Sequence, residues 1–145
     1  MSKKTFVVAL VALLSVFTVF EVSSEAKIME LFEHYVIDVP EGWQVKDDKE
    51  TNTVHFTAPD ESGGLVASAF DSGGMPAEDI VEMLREELNG TNMALAGNGH
   101  TFQFEAEGQA CRAFVAKHEN MIMFFTIIGE NSDSYKMLET FDLKN

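Results

Sequence analysis

Four histidines, one cysteine and eight methionines are the residues of this chain whose side chains most readily do chemistry. A metal centre or a general base would draw on His34, His55, His100 and His118. No two of them stand four apart on a helix or in any other short-range ligand pattern, so the spacing supports neither a metalloprotease-type site nor a local zinc site. His55 lies on the outward positions of an alternating stretch and His34 opens another, so the expectation is of scattered surface histidines. A metal site assembled across strands stays open at this level, because ligands need to be close only in space.

Cys111 has the wrong surroundings for a nucleophile. A reactive thiol needs a base and a lowered pKa, yet its neighbours are Ala110, Ala113 and Phe114, and the adjacent Arg112 would point to the opposite face of a strand. Burial as a small apolar residue is expected instead. Asp48, Glu50 and Asn52 imitate the first ligands of a calcium loop. Thr53 stands where that loop needs glycine, however, and Pro59 where it needs a bidentate glutamate, so a solvated hairpin turn is expected. Met83, Met121 and Met123 are spaced as core residues, although methionine-rich strings do bind copper. Trp43 reads as a structural anchor, with ligand stacking the alternative. No nucleophile elbow occurs, and Gly63-Gly64, Gly73-Gly74 and Gly97-Asn98-Gly99 lack the lysine and helix of a phosphate loop. Asn89-Gly90-Thr91 is a glycosylation sequon, relevant only in a eukaryotic host. No catalytic or metal-binding residue is therefore assigned, the binding residues are unknown, and no cofactor is expected.

Charge narrows the partners. The chain has 145 residues, with 24 acidic against 10 basic, and a net charge of −14. Nucleic acid and anionic lipid are disfavoured, because both need a basic surface. An envelope protein or a cation remains as partner. A lone cysteine excludes an intramolecular disulfide.

The elements that would position these residues are preceded by an export signal. Lys3 and Lys4 lead into the uncharged run Phe6 to Phe20, about 22 Å as a helix. That is short of a hydrocarbon core of about 30 Å. Small residues follow at Ser24 and Ala26, so residues 1–26 are expected to be a cleaved signal peptide. Cleavage after Ser24, an uncleaved anchor and a buried core helix are the alternatives. The product, 27–145, would be a single globular domain, periplasmic or secreted, with no stable membrane insertion.

Lys27 to Glu33 reads as a short helical lead or a linker. Strands follow at Tyr35–Val39, Trp43–Asp47, Val54–Ala58 and Leu65–Phe70, with Tyr35, Ile37 and Val39 on one face. The loop Asp60 to Gly64 separates the last two. The period then changes to 3.6: Ala77, Ile80, Val81, Leu84 and Leu88 form one stripe after Pro76, and Gly90 is placed to cap the helix. Thr101–Ala106, Gln109–His118 and Met121–Gly129 are three further strands. The last is apolar on both faces and must be covered on both. A second helix is expected over Ser132–Phe141, capped by Ser132 or Asp133, with Tyr135, Leu138 and Phe141 as its stripe. The sum is α+β, a mainly antiparallel central sheet sandwiched between helices.

The stretch Tyr35-Val-Ile-Asp-Val-Pro-Glu-Gly-Trp-Gln-Val45 resembles the opening of the PsbP-like superfamily. That group includes the PsbP subunit of photosystem II, the Ran-binding Mog protein and exported bacterial proteins such as DcrB. Pro40, Gly42, Trp43 and the strand end Phe56-Thr-Ala-Pro59 carry the likeness, and the order of elements extends it from His34 to Leu143. The resemblance implies an antiparallel sheet between helical layers and no particular activity. No photosystem role and no Ran site carries over. The expectation is a non-catalytic binding or accessory protein of the cell envelope. A periplasmic metal- or small-molecule-binding protein is the alternative, and a small hydrolase is the weakest reading.

Overall fold

The structure, a computed structural model, describes residues 21–22 and 25–144. The expected signal segment, 1–26, falls largely on 1–20 and 23–24, which lie outside the described residues. Among the described residues no helix is long and apolar enough to cross a membrane.

Among the described residues, eleven strands and two helices are arranged on two sheets. The strands are β1 (Glu21–Val22), β2 (Lys27–Leu31), β3 (Tyr35–Val39), β4 (Gln44–Asp48), β5 (Thr53–Thr57), β6 (Gly63–Asp71), β7 (Thr91–Ala96), β8 (Gly99–Ala106), β9 (Gln109–His118), β10 (Met121–Gly129) and β11 (Asp142–Leu143); the helices are α1 (Ala77–Glu87) and α2 (Ser132–Glu139). The large sheet runs β1-β4-β5-β6-β10-β9-β8-β7 and the small one β11-β3-β2, with antiparallel pairing throughout. Two meanders, β4 to β6 and β7 to β10, join where β10 docks on β6, and α1 is the crossover between them. The expected α+β class with a mainly antiparallel sheet is what the chain forms.

β10 shows why the sequence needed cover on both sides. Ile122 and Phe124 enter a core with Val66, Ile80, Leu84 and Phe102 under α1. The alternate residues Met123, Phe125 and Ile127 enter a second core with Ile37, Val39, Trp43, Phe56 and Met137. The layer on that second side is α2 together with the small sheet, rather than a helix alone.

The turn Pro40-Glu41-Gly42-Trp43 carries the chain from the small sheet to the large one. The Trp43 amide donates to the Pro40 carbonyl at 3.4 Å, and Gly42 has φ +82°. A type II turn requires that left-handed value at its third position, where glycine adopts it without strain. Trp43 then enters the core at 2% exposure.

Several expectations are corrected. Lys27 to Glu33 is neither helix nor linker: β2 pairs with β3 from Lys27↔Val39 to Leu31↔Tyr35. Its alternation was hidden because Ile28, an apolar residue, faces outward at 71% exposure. Gly63 and Gly64 belong to β6 and not to a loop; a side chain on Gly64 would collide with the Phe56 carbonyl of the neighbouring strand. The left-handed residue after α1 is Asn89 (φ +54°), not Gly90. The Gly90 amide donates to Arg85 O at 2.7 Å and the Asn89 amide to Glu86 O at 3.2 Å, the bond pair of a Schellman cap. Helix α2 ends at Glu139 and is capped by Asn131, whose side chain accepts from the Asp133 amide at 2.8 Å. Its buried residues are Ser134 and Met137, while Tyr135 is 37% exposed.

Candidate functional site

Three hairpin turns from distant parts of the chain meet at one end of the molecule. They are the β2–β3 turn (Phe32, Glu33, His34), the β4–β5 turn at Asn52 and the β9–β10 turn at Glu119. With Tyr35, His118, Met121, Met123, Leu143 and Lys144 they line a groove of about 880 Å³. That size lies within the range of ligand sites, roughly 300–1,000 Å³.

The turns are held in an unusual backbone state. Phe32 (φ +54°), Glu33 (+70°), Asn52 (+52°) and Glu119 (+55°) all adopt the left-handed conformation. Asparagine tolerates it; phenylalanine and glutamate do so at a cost of about 1–2 kcal/mol each. Four residues outside the groove, Glu61, Asn89, Asn92 and Glu107, share this conformation, which tight hairpin turns commonly require.

The two sheets are tied together in the groove by side chains. Tyr35 Oη and His118 Nδ1 lie 2.9 Å apart, with the direction of the bond set by the imidazole tautomer. Burial, and secondarily the Glu119 carboxylate, push the Tyr35 phenol above its ordinary pKa, so the hydroxyl keeps its proton at neutral pH. The Tyr35 ring stacks on Phe141 at 4.9 Å, and Phe141 meets Phe125 edge-on at 4.7 Å. The lysine at the rim, Lys144, bridges to Glu30 at 2.8 Å. Glu33 and Glu119 leave the rim with acidic character.

The structure brings His34 and His118 to this groove and leaves the other two histidines elsewhere. His100 is half-buried on β8. His55 contradicts the expectation of an outward histidine: it does alternate against Val54 and Phe56, but its face of the sheet is buried too, and it is 7% exposed. Burial, then the Lys46 charge, lower its pKa to about 4. Its Nε2 and the Thr126 hydroxyl, in one row across β5, β6 and β10, have no hydrogen-bond partner among the described residues. Cys111 lies under α1 at 5% exposure, and burial pushes its thiol up to about 11, the reverse of an activated nucleophile. Asp48 and Asn52 serve the turn, Asp48 Oδ1 accepting from the Glu50 amide at 3.1 Å and Asn52 Nδ2 donating to Ala69 O at 3.1 Å. No group of three His, Cys, Asp or Glu side chains converges on one point among the described residues. Sequence reasoning missed the groove because its parts are far apart in the chain, 83 residues in the Tyr35–His118 pair.

This architecture matches solved structures over most of its length. The cyanobacterial PsbP (CyanoP) of Synechocystis sp. PCC 6803 superposes with a TM-score of 0.59 at 12% identity, over 83% of this chain and 94% of that one. The fold is PsbP-like. A second match, a protein from Bacteroides thetaiotaomicron VPI-5482, has a TM-score of 0.58 at 17% identity and covers 84% of this chain. The chain spans about half the length of that Bacteroides protein, at 49%. No family model matches the chain and no curated protein does. The likeness is therefore one of architecture, and the residues of the groove have to be judged on their own chemistry.

Proposed function

We propose that this protein is an exported, non-catalytic accessory module of the cell envelope that binds its partner through the groove between Tyr35 and His118. The observation that carries this reading is the construction of the groove. Three separate turns converge on it, four of their residues sit in the left-handed conformation, and a hydrogen bond locks the two sheets beneath it. A groove framed by three turns, within the size range of ligand sites and tied across its floor by a hydrogen bond, offers a concave recognition surface.

The non-catalytic half of the reading rests on the nucleophile inventory. The single thiol is buried with a raised pKa, and acyl or phosphoryl transfer needs an activated group with a base beside it. Export rests on the charge and length pattern of residues 1–26. The net charge of −14 directs recognition toward a basic protein segment or a cation, and such association weakens as salt rises.

The test is native mass spectrometry of the protein isolated from the cells that make it. Glu119→Lys and Leu143→Asp alter the groove, whereas Glu86→Lys alters the exposed side of α1. A retained component that is lost from both groove variants and kept by Glu86→Lys is expected. A component kept by both groove variants would place recognition elsewhere, and a metal-free hydrolytic turnover that survives purification would end the non-catalytic reading.

A further inference from the structure

The groove contains a donor set that its recognition role alone does not require. Met121 and Met123 are alternate residues of β10, so they share one face of the sheet. Met121 stands directly across from His118 in the β9–β10 register, and all three border the groove. Facing residues on paired strands have Cβ atoms about 4.5–5.5 Å apart, and alternate residues on one strand are about 6.5–7 Å apart. Two thioethers on flexible three-bond arms can close that gap onto a common point.

We propose that the groove holds one Cu(I) ion between the thioether sulfurs of Met121 and Met123 and Nε2 of His118. Thioethers are soft ligands and select Cu(I), while calcium and magnesium require oxygen donors. Zinc requires thiolate, imidazole or carboxylate ligands, and no three such side chains converge among the described residues. The imidazole is already oriented. Tyr35 Oη and His118 Nδ1 lie 2.9 Å apart; in the tautomer whose Nδ1–H donates to the Tyr35 oxygen, Nε2 presents its lone pair, the outer-shell arrangement that fixes metal-bound histidines. Glu33 and Glu119 at the rim favour entry of a cation. The site gives Met123 a purpose beyond core filling: it is 3% exposed and still reaches the groove wall.

The proposal rests on the groove being the binding surface and names its occupant. It is tested by anaerobic titration of the purified protein with Cu(I) against a colorimetric Cu(I) chelator, and by X-ray absorption of the loaded form. One equivalent withdrawn from the chelator, with two sulfurs and one nitrogen around the metal, is expected. Met121→Leu and Met123→Leu conserve volume and leave the fold intact; each is expected to weaken binding at least tenfold, and the pair to abolish it. Met83→Leu, on α1 at the other face, is expected to change nothing. Failure to withdraw Cu(I), unchanged affinity in the double Met→Leu variant, or a sulfur-free metal shell would overturn the proposal. The outcomes separate the two readings. A protein partner lost from the groove variants without any Cu(I) binding sinks only the copper site; Cu(I) binding with a protein partner indifferent to the groove sinks only the recognition role.

Discussion

Tyr35 and His118 are separated by 83 residues and joined by a 2.9 Å hydrogen bond that fastens the small sheet to the β9–β10 hairpin. The phenol and its ring contribute separately. Tyr35→Phe removes one bond and keeps the stack on Phe141, so a loss of about 0.5–1.5 kcal/mol is expected. Tyr35→Ala also empties part of the core and is expected to cost about 3–5 kcal/mol. Urea unfolding of both variants checks this; equal losses would show that the hydroxyl, and not the ring, holds the two sheets.

Trp43 and Gly42 form the corner between the sheets. Trp43→Ala leaves a large cavity where the residue was 2% exposed, and a loss of about 3–5 kcal/mol is expected. That is a large share of the ~5–15 kcal/mol of an ordinary domain. Gly42→Ala forces a side chain into φ +82° and to 3.2 Å from the Pro59 ring; a smaller loss of about 1–2 kcal/mol is expected. Thermal and urea midpoints measure both, and a Gly42→Ala variant as stable as the parent would refute the type II turn as the reason for glycine.

How far these elements could be read in advance followed from how one-sided their burial is. Tyr35, Ile37 and Val39 are buried with Asp38 exposed between them, so period-two alternation revealed β3. The stripe of α1 was equally plain, since Ile80, Val81 and Leu84 bury one face. β7 was invisible because five of its six residues are exposed and it has no inward face. The cap of α2 was misplaced by one or two residues, because asparagine, serine and aspartate stand in succession at 131–133 and all can accept from the first turn. His55 misled for the opposite reason: alternation reports which side a residue takes, not whether that side is covered. The groove was beyond reach, since its turns adjoin through strand register and packing, and no local pattern near Phe32, Asn52 or Glu119 records the other two.

Cys111 is expected to resist modification. It lies 5% exposed beside Ala113 and under α1, and burial holds its thiol up at about 11. The thiolate is the reactive form, and at pH 8 it is scarce as well as covered. Labelling with a chromogenic disulfide should be slow in buffer and complete within the mixing time in denaturant. Rapid stoichiometric labelling of the folded protein would show that the α1 layer opens readily.

His55 makes the protein acid-sensitive in a defined window. Its pKa is near 4 in the folded chain, against 6.5 for an exposed imidazole, chiefly because burial disfavours the charged form. Between those values the unfolded chain binds a proton that the folded chain does not, so stability rises with pH across the window. Stability from this residue is fully present above about pH 6.5 and is lost as pH falls toward 4, a difference of about 3 kcal/mol. Protonation of carboxylates in the same range relieves the repulsion within a chain of net charge −14, so the total curve does not isolate the histidine. The difference between the parent and His55→Phe does. Phenylalanine keeps the aromatic bulk and cannot titrate, and the stability of the variant relative to the parent is expected to rise on going from pH 7 to pH 4.5. Urea midpoints of the two proteins at matched pH values give that difference, and the proton NMR shift of the His55 ring gives the pKa itself. A His55 resonance that titrates near 6.5, or a parent–variant difference that stays flat across the window, would show that the face between β5 and β10 is open to water.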